Sequence, residues 1–435
     1  MSSSLVIPAS PRPFLALVAL VALAPLAPVS HAEPGDRLAS QDEAPVPSSP
    51  GPHPFGPTPF VVRSLRVLAD TPVRLAPRWS AGRFGRIGAD TRVAWKEVLA
   101  DSGDAACGRW IAIHPRGFLC EKEVAPSELE PGGVHQPLIR PGQIVPDRYD
   151  PAEFTSPPST LSSHLVDPVG KRSCEPLHAD QPTRTRERGD VSDFAGLNLA
   201  CPDTPAFPFA WVQSRMDVKR PVKALAKPRA DAPVTRTIAP RTLVSLSHAE
   251  HKNGFYALAP DQWVAASDLH IAKHMAPPPR TFHDEKWIDV DLDEQVLVAY
   301  EGTRPVYATL VATGTPSHPT PPRIFRIEQK LAAANMIGSD YRASVPWTMY
   351  LDGYYAVHSA YWHDRFGSRT SHGCINLPPL DARVLYHWAE PVVPAGWLSA
   401  RGSEAVPGTL VRLRNRHREN PAFEGYAKDV YRARR

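Results

Sequence analysis

Two side chains able to act as base and nucleophile stand sixteen residues apart, His358 in YYAVHSA and Cys374 in TSHGCINL. The thiolate, not the thiol, is the nucleophilic form of cysteine. It therefore needs a base within reach, a partner that orients the base, and N–H groups aimed at the developing oxyanion. His358 ends a strand-like run, and Cys374 sits on a loop just ahead of a helical pattern at 380–390. Gly373 removes a side chain beside the thiol, so a substrate carbonyl can approach the backbone. The chemistry this permits is acyl transfer through a thioester. A zinc site from His358, His363, His372 and Cys374 is the competing reading, as is a buried free cysteine. The spacing matches no closed zinc set, and no second cysteine is near. Neither a metal nor a cofactor is expected.

The other four cysteines form two local couples, Cys107 with Cys120 and Cys174 with Cys201. That pairing is the simplest of the three that four cysteines allow, and it leaves Cys374 free. Disulfides belong to oxidising compartments, and the N-terminus agrees. Phe14 to Val29 is an apolar run of h-region length, followed by Ser30-His31-Ala32 with small residues at −3 and −1. Pro25 and Pro28 argue against a spanning helix. Residues 1–32 therefore read as a signal peptide, and the mature chain as exported, to the periplasm or cell envelope.

The elements that must position the pair come from a chain of 435 residues with 50 prolines, about twice the usual share. That favours short strands and loops over long helices. The net charge of +4 is mild, and no nucleic-acid motif is present. Residues 33–59 read as a Pro/Ser-rich linker. Two stretches echo each other: RWIAIHPRGFLC at 109–120 and GFYALAPDQWVA at 254–265. Trp110 aligns with Phe255, Ala112 with Ala257, Pro115 with Pro260 and Phe118 with Trp263, each pair 145 residues apart. PVRLAP at 72–77 and PVKALAKP at 221–228 precede them. The echo predicts two related β modules, at 60–125 and 219–272. They resemble bacterial SH3-type barrels, which often bind cell-wall peptides; plain spacers are the alternative. Residues 126–218 lie between as an irregular, Pro-rich insert.

From Lys286 the pattern alternates. WIDVDLDEQVLVAYEG reads as a hairpin, PVYATLVATG as a further strand, VPWTMYLDGYYAVHSA as two strands broken at Asp352-Gly353, and LDARVLYHWAE as a helix. GTLVRLRN at 408–415 alternates again. The arginines in and beyond it, Arg412, Arg414, Arg416 and Arg418, and then Arg432, Arg434 and Arg435, read as a solvated strand face and a basic tail at 415–435. Contact with anionic polymers or lipid is the other reading.

His358-Ser359, eleven residues, then Ser371-His372-Gly373-Cys374-Ile375-Asn376 resembles the signature of the L,D-transpeptidases, whose catalytic domain is of the YkuD type. The resemblance covers 286–414. It implies a β-rich catalytic domain with few helices, so that the whole exported chain is expected to be mainly β and multidomain, two small SH3-like barrels followed by that domain. It also implies Cys374 as nucleophile, His358 as base and Ser359 as the orienting partner through its backbone carbonyl. His372 and Gly373 would shape the site, with the N–H groups of Gly373 and Cys374 in the oxyanion hole. Ser371 and Asn376 would either bind substrate or fix the turn. In Thr320-Pro321-Pro322-Arg323-Ile324-Phe325, arginine stands where the family often has glycine, so a left-handed backbone there would be strained.

The implied reaction is 3→3 cross-linking of peptidoglycan stem peptides, with carbapenem-type inhibitors acylating the same thiol. An L,D-carboxypeptidase or an enzyme anchoring proteins to the wall uses the same residues. From another class, a non-catalytic wall-binding protein would need only the β modules. A papain-like endopeptidase usually places its cysteine before its histidine, the reverse of this order. The sequence does not fix the oligomeric state.

Overall fold

The computed structural model describes residues 60–99, 106–133, 196–199, 204–337, 342–403 and 406–434, all within one compact unit, His53–Arg435. The expected signal peptide, the linker, Cys174 and Cys201 lie outside the described residues. The chain is mainly β, with two α-helices among the described residues, Pro379–Trp388 and Tyr426–Ala433.

The echo in the sequence is an echo in topology. Ser64–Val67 pairs with Arg92–Val93 and Val124–Ser127; Phe209–Val212 pairs in the same way with Thr242–Ser245 and Leu269–Ala272. Each three-stranded sheet accompanies five strands in one order. In the first module these are Arg83–Ile87, Thr71–Arg74, Phe118–Cys120, Trp110–Ile113 and Trp95–Leu99. In the second they are Val234–Ile238, Val222–Leu225, Gln262–Ala265, Phe255–Ala259 and His251–Lys252. Even the bulge recurs, at Val73/Arg74 and at Ala224/Leu225. The second module thus begins at Phe209, ahead of the expected 219, because Phe209–Val212 is the middle strand of its small sheet.

The chain from Lys286 onward contributes to two further sheets. One runs Ile324–Arg326, Leu410–Arg414, Lys286–Asp291, Val296–Glu301, Arg304–Leu310 and, from the long insert, Leu197–Asn198. The hairpin Lys286–Asp291/Val296–Glu301 is buried on both faces, and its period of two sorts the residues. Ile288, Val290, Leu297 and Ala299 face the main core. Trp287, Val296, Val298 and Tyr300 face the other way, onto Phe209 and Trp211 of the second module.

The second sheet runs Ile375–Leu377, Ala356–Ser359, Arg342–Tyr350, Gln329–Ile337 and Trp397–Arg401, then continues through Arg83–Ile87 into the first module. Gly85 makes that junction possible. A Cβ there would stand 2.4 Å from the Ser399 carbonyl oxygen and 3.0 Å from the Trp397 ring. The sheet therefore extends without a break from the strand after Cys374 to the far edge of the first module.

The arginines of Leu410–Arg414 are not a solvated face. The strand runs parallel to Lys286–Asp291, in a register that sets Arg412 beside Asp289 and Arg414 beside Asp291. Arg412 Nε meets Asp289 at 2.6 Å, and Arg414 bridges Asp289 and Asp291 at 2.8 and 2.9 Å, all of them buried. The two aspartates were hidden in the sequence as the polar half of an alternating strand. Nor is the end of the chain a loose tail: the helix Tyr426–Ala433 packs on Ile324–Arg326, and Arg434 pairs with Glu285 at 2.6 Å. Arg323 does not adopt a left-handed backbone, so the strain expected there does not arise.

Candidate active site

Parallel pairing of Ala356–Ser359 with Ile375–Leu377 builds the site. Val357 stands opposite Ile375, His358 opposite Asn376 and Ser359 opposite Leu377. This register puts Cys374, the residue before Ile375, level with Ala356 at the mouth of the strand pair, two positions from His358 on the neighbouring strand. Pro379 opens the helix Pro379–Trp388 immediately downstream; its fixed φ suits a first helical turn. Buried Ala382, Val384, Leu385 and Tyr386 anchor that helix to the core. Lys330 closes its far end, with Nζ on the Tyr386 carbonyl and, at 2.6 Å, on that of Ala389.

The imidazole of His358 is buried, and its Nδ1 lies 2.7 Å from the Ser359 carbonyl. A carbonyl only accepts, so Nδ1 carries the proton and Nε2 is left as the basic nitrogen. Burial pulls the His358 pKa down to about 4; the Ser359 carbonyl opposes this only in part. Burial also pushes the half-buried Cys374 thiol up, and the Asp352 carboxylate adds to that; an N–H from Ala356 works against it. Both shifts favour a neutral thiol and a neutral imidazole at rest over an ion pair. Cys374 Sγ lies 3.9 Å from the Tyr354 carbonyl oxygen.

The loop that presents the thiol is tightly tied. Gly373 has φ +116°, in the region that favours glycine, and a Cβ there would press on the Tyr355 ring at 3.1 Å. The Ser371 hydroxyl accepts from the Gly373 N–H at 3.1 Å and donates to the Cys374 carbonyl at 2.6 Å. The Gly373 N–H, one of the two donors expected for an oxyanion hole, is thus occupied by Ser371. Ser371 and Asn376 are both buried. The Asn376 carboxamide meets His363 Nε2 at 3.0 Å, and its backbone bonds reciprocally with Ala312. Through these bonds the two residues fix the turn. His372 is exposed, with its ring 4.9 Å from that of His318.

Three contributors were not singled out from sequence. Asp352 accepts the N–H groups of Tyr354 and Tyr355, both at 2.8 Å, and so sets the turn that brings the Tyr354 carbonyl to the thiol. The Asp-Gly pair had signalled only a break between strands. Thr320 accepts the Gly314 N–H and donates to the Gly373 carbonyl, both at 2.8 Å, pinning the loop from the other side. Trp362, an exposed side chain, lies with its ring 6.0 Å from that of His358.

The disulfide Cys107–Cys120 is formed and Cys374 is a free thiol. Among the described residues no cluster of His, Cys, Asp and Glu is arranged to hold a metal.

Comparison with known proteins bears on the same region. Residues 285–412 match the L,D-transpeptidase catalytic domain family. No curated protein matches the chain. Among solved structures, it is similar to a mutant of the Enterococcus faecium L,D-transpeptidase: 24% identity, 33% of this chain and 55% of that one, TM-score 0.25. An L,D-transpeptidase from Stackebrandtia nassauensis is 22% identical over 32% of this chain and 58% of its own, TM-score 0.24. An L,D-transpeptidase in complex with imipenem is 18% identical over 37% and 76%, TM-score 0.25. The chain spans little more than half the length of the first two. Residues 285–412 are a YkuD-type L,D-transpeptidase catalytic domain.

Proposed function

We propose that the protein is a peptidoglycan L,D-transpeptidase that forms 3→3 cross-links through a thioester on Cys374. The observation that carries this reading is the placement of Cys374 beside a neutral, oriented His358 in a domain of that family. His358 Nε2 takes the thiol proton as Sγ attacks the carbonyl of the third stem residue. The Cys374 N–H faces the oxyanion of the tetrahedral intermediate. Collapse breaks the peptide bond, and the departing D-alanine amine takes the proton from the imidazolium. The amine of a second stem then attacks the thioester and gives up a proton to His358, and Cys374 leaves and is reprotonated. Burial keeps His358 neutral down to about pH 4, so the base is competent throughout the neutral range. The Cys374 thiol is also the proposed site of acylation by carbapenems, a class to which the imipenem bound to one similar structure belongs.

This substrate lies outside the cytoplasmic membrane, so the reading goes with export, as the apolar run at 14–29 suggests. The test is mass spectrometry of the products formed from disaccharide-tetrapeptide. A dimer that has lost one D-alanine, absent with Cys374→Ala, supports the transpeptidase. Tripeptide alone favours the carboxypeptidase, and no product at all overturns the enzymatic reading.

A further inference from the structure

The two β modules share one topology, and the second opens a pocket. A cavity of about 370 Å³ lies where the Phe207-Pro208 turn meets the strand Leu269–Ala272, lined by Phe207, Leu246, Tyr256, Ile271, Lys273 and His274. The Leu246 N–H donates to the Pro208 carbonyl at 2.9 Å, which holds the turn against the module. Tyr256 is braced from outside by the His251 ring, 4.5 Å away. The walls are apolar, while Lys273 at the rim is exposed and makes no ion pair among the described residues. His274 holds its Nε2 against the Thr303 carbonyl at 3.0 Å, so that nitrogen is already spent as a donor.

The first module carries different residues at the matching positions. At the positions 145 residues earlier, Val62 stands for Phe207, Ile111 for Tyr256, Pro126 for Ile271 and Glu128 for Lys273. Val62 and Ile111 are buried in the main core. The residue matching Pro208 is Arg63, which forms a 2.6 Å ion pair with Glu130. The second copy therefore differs in three coordinated ways: two aromatic walls, no ion pair at the rim among the described residues, and a cation where the other copy has an acid.

We propose that this pocket of the second module binds a small monocarboxylate with an aliphatic body, its acid group on Lys273 and its body between Phe207 and Tyr256. One ammonium over an apolar cleft suits a single negative charge. A phosphate would call for several donors or a guanidinium fork, which the lining lacks. The volume is at the small end of the range for ligand sites. Such a carboxylate can come from a peptide C-terminus or from a short acyl chain.

The test is calorimetric titration of the full chain with N-acetyl-alanyl-alanine and, separately, with octanoate, each beside its uncharged amide. Two variants take the first module's own residues, Lys273→Glu and Tyr256→Ile, and circular dichroism checks that each folds. Binding of a carboxylate but not its amide, weakened about tenfold or more by either variant, supports the proposal. Preference for the peptide or for octanoate identifies the source. Binding unchanged in Lys273→Glu places the ligand elsewhere and overturns it. Failure of both carboxylates to bind up to about 1 mM overturns it as well.

Discussion

The two modules answer one question, how to fasten a small β unit to a catalytic domain, in different ways. The first is fastened by backbone. Its strand Arg83–Ile87 hydrogen-bonds to Trp397–Arg401, its apolar residues merge with the main core, and a disulfide closes one of its hairpins. The second is fastened by side chains. Its equivalent strand, Val234–Ile238, is an open edge with four of five residues exposed, and it keeps a core of its own. What docks it are Phe209 and Trp211 against the hairpin, Arg215 with Glu294 at 2.6 Å, the Arg241–Asp364 pair, and Gln213 reaching the Phe366 carbonyl at 2.7 Å. Identical topology thus leaves the mode of attachment free. A strand ladder commits an element to the fold, whereas a side-chain interface can be weakened group by group.

The sharpest way to break the comparison is at matching positions. Gly85→Val forces a side chain into the Ser399 carbonyl and should cost about 3 kcal/mol in urea denaturation. Arg236→Val, at the corresponding place on the open edge, should stay within about 0.5 kcal/mol. Equal losses would mean that the ladder does not set the difference. Replacing both Cys107 and Cys120 by alanine removes a cross-link between residues 13 apart and should cost up to about 3 kcal/mol. Hydrogen exchange should show the loosening in residues 64–127 and leave 209–272 protected.

Acid should act the opposite way, on the second module. His270 is buried there, and burial, aided by Arg215, holds its pKa at about 3; the residue 145 earlier is Ala125. The groups that face it are Arg215, the Glu294 carbonyl on Nδ1, and the glycine backbone at 367. A base whose pKa is depressed in the folded state binds its proton more readily when released. Stability is therefore fully present above about pH 6.5 and falls as pH drops from there towards 3. At pH 5 the loss should be about 2 kcal/mol. Exchange in 209–272 should rise between pH 7 and pH 5, and His270→Ala should flatten that response. A smaller effect, about 1 kcal/mol, is expected from Asp364→Asn, which weakens the ion pair with Arg241 but keeps a hydrogen-bond acceptor. It should loosen the second module without changing the Tm contribution of the first.

Much of the site was legible because its signal is local. His358, Cys374 and the intervening spacing are contiguous enough to read, and the hairpin at 287–302 and the helix at 380–390 declare themselves by period. The repeat was legible too, since its aromatic and proline positions keep one offset. What stayed hidden depends on partners far away in the chain. Arg412 and Arg414 look like surface residues until a parallel strand brings Asp289 and Asp291 alongside. Nothing near Gly85 announces Trp397–Arg401, 312 residues beyond it at the nearest. Asp352 and Thr320 act through backbone N–H and carbonyl groups, for which sequence carries no pattern. Leu197–Asn198 adds to the edge of the catalytic sheet at Tyr307 and Ala308, and the Gly196 N–H caps the buried Asp381 at 2.7 Å. Two residues of strand inside a Pro-rich insert are too few to show any period.

The central claim is that Cys374 carries the acyl group, and acid quenching within the first turnovers tests it most directly. The protein is mixed with disaccharide-tetrapeptide, stopped in acid, digested, and the peptide containing TSHGCINL is weighed. The account predicts that this peptide gains the mass of the disaccharide-tripeptide acyl group, and that hydroxylamine removes it as expected of a thioester. Cross-linked product formed while that peptide stays unmodified, or with the acyl group on another residue, would contradict it.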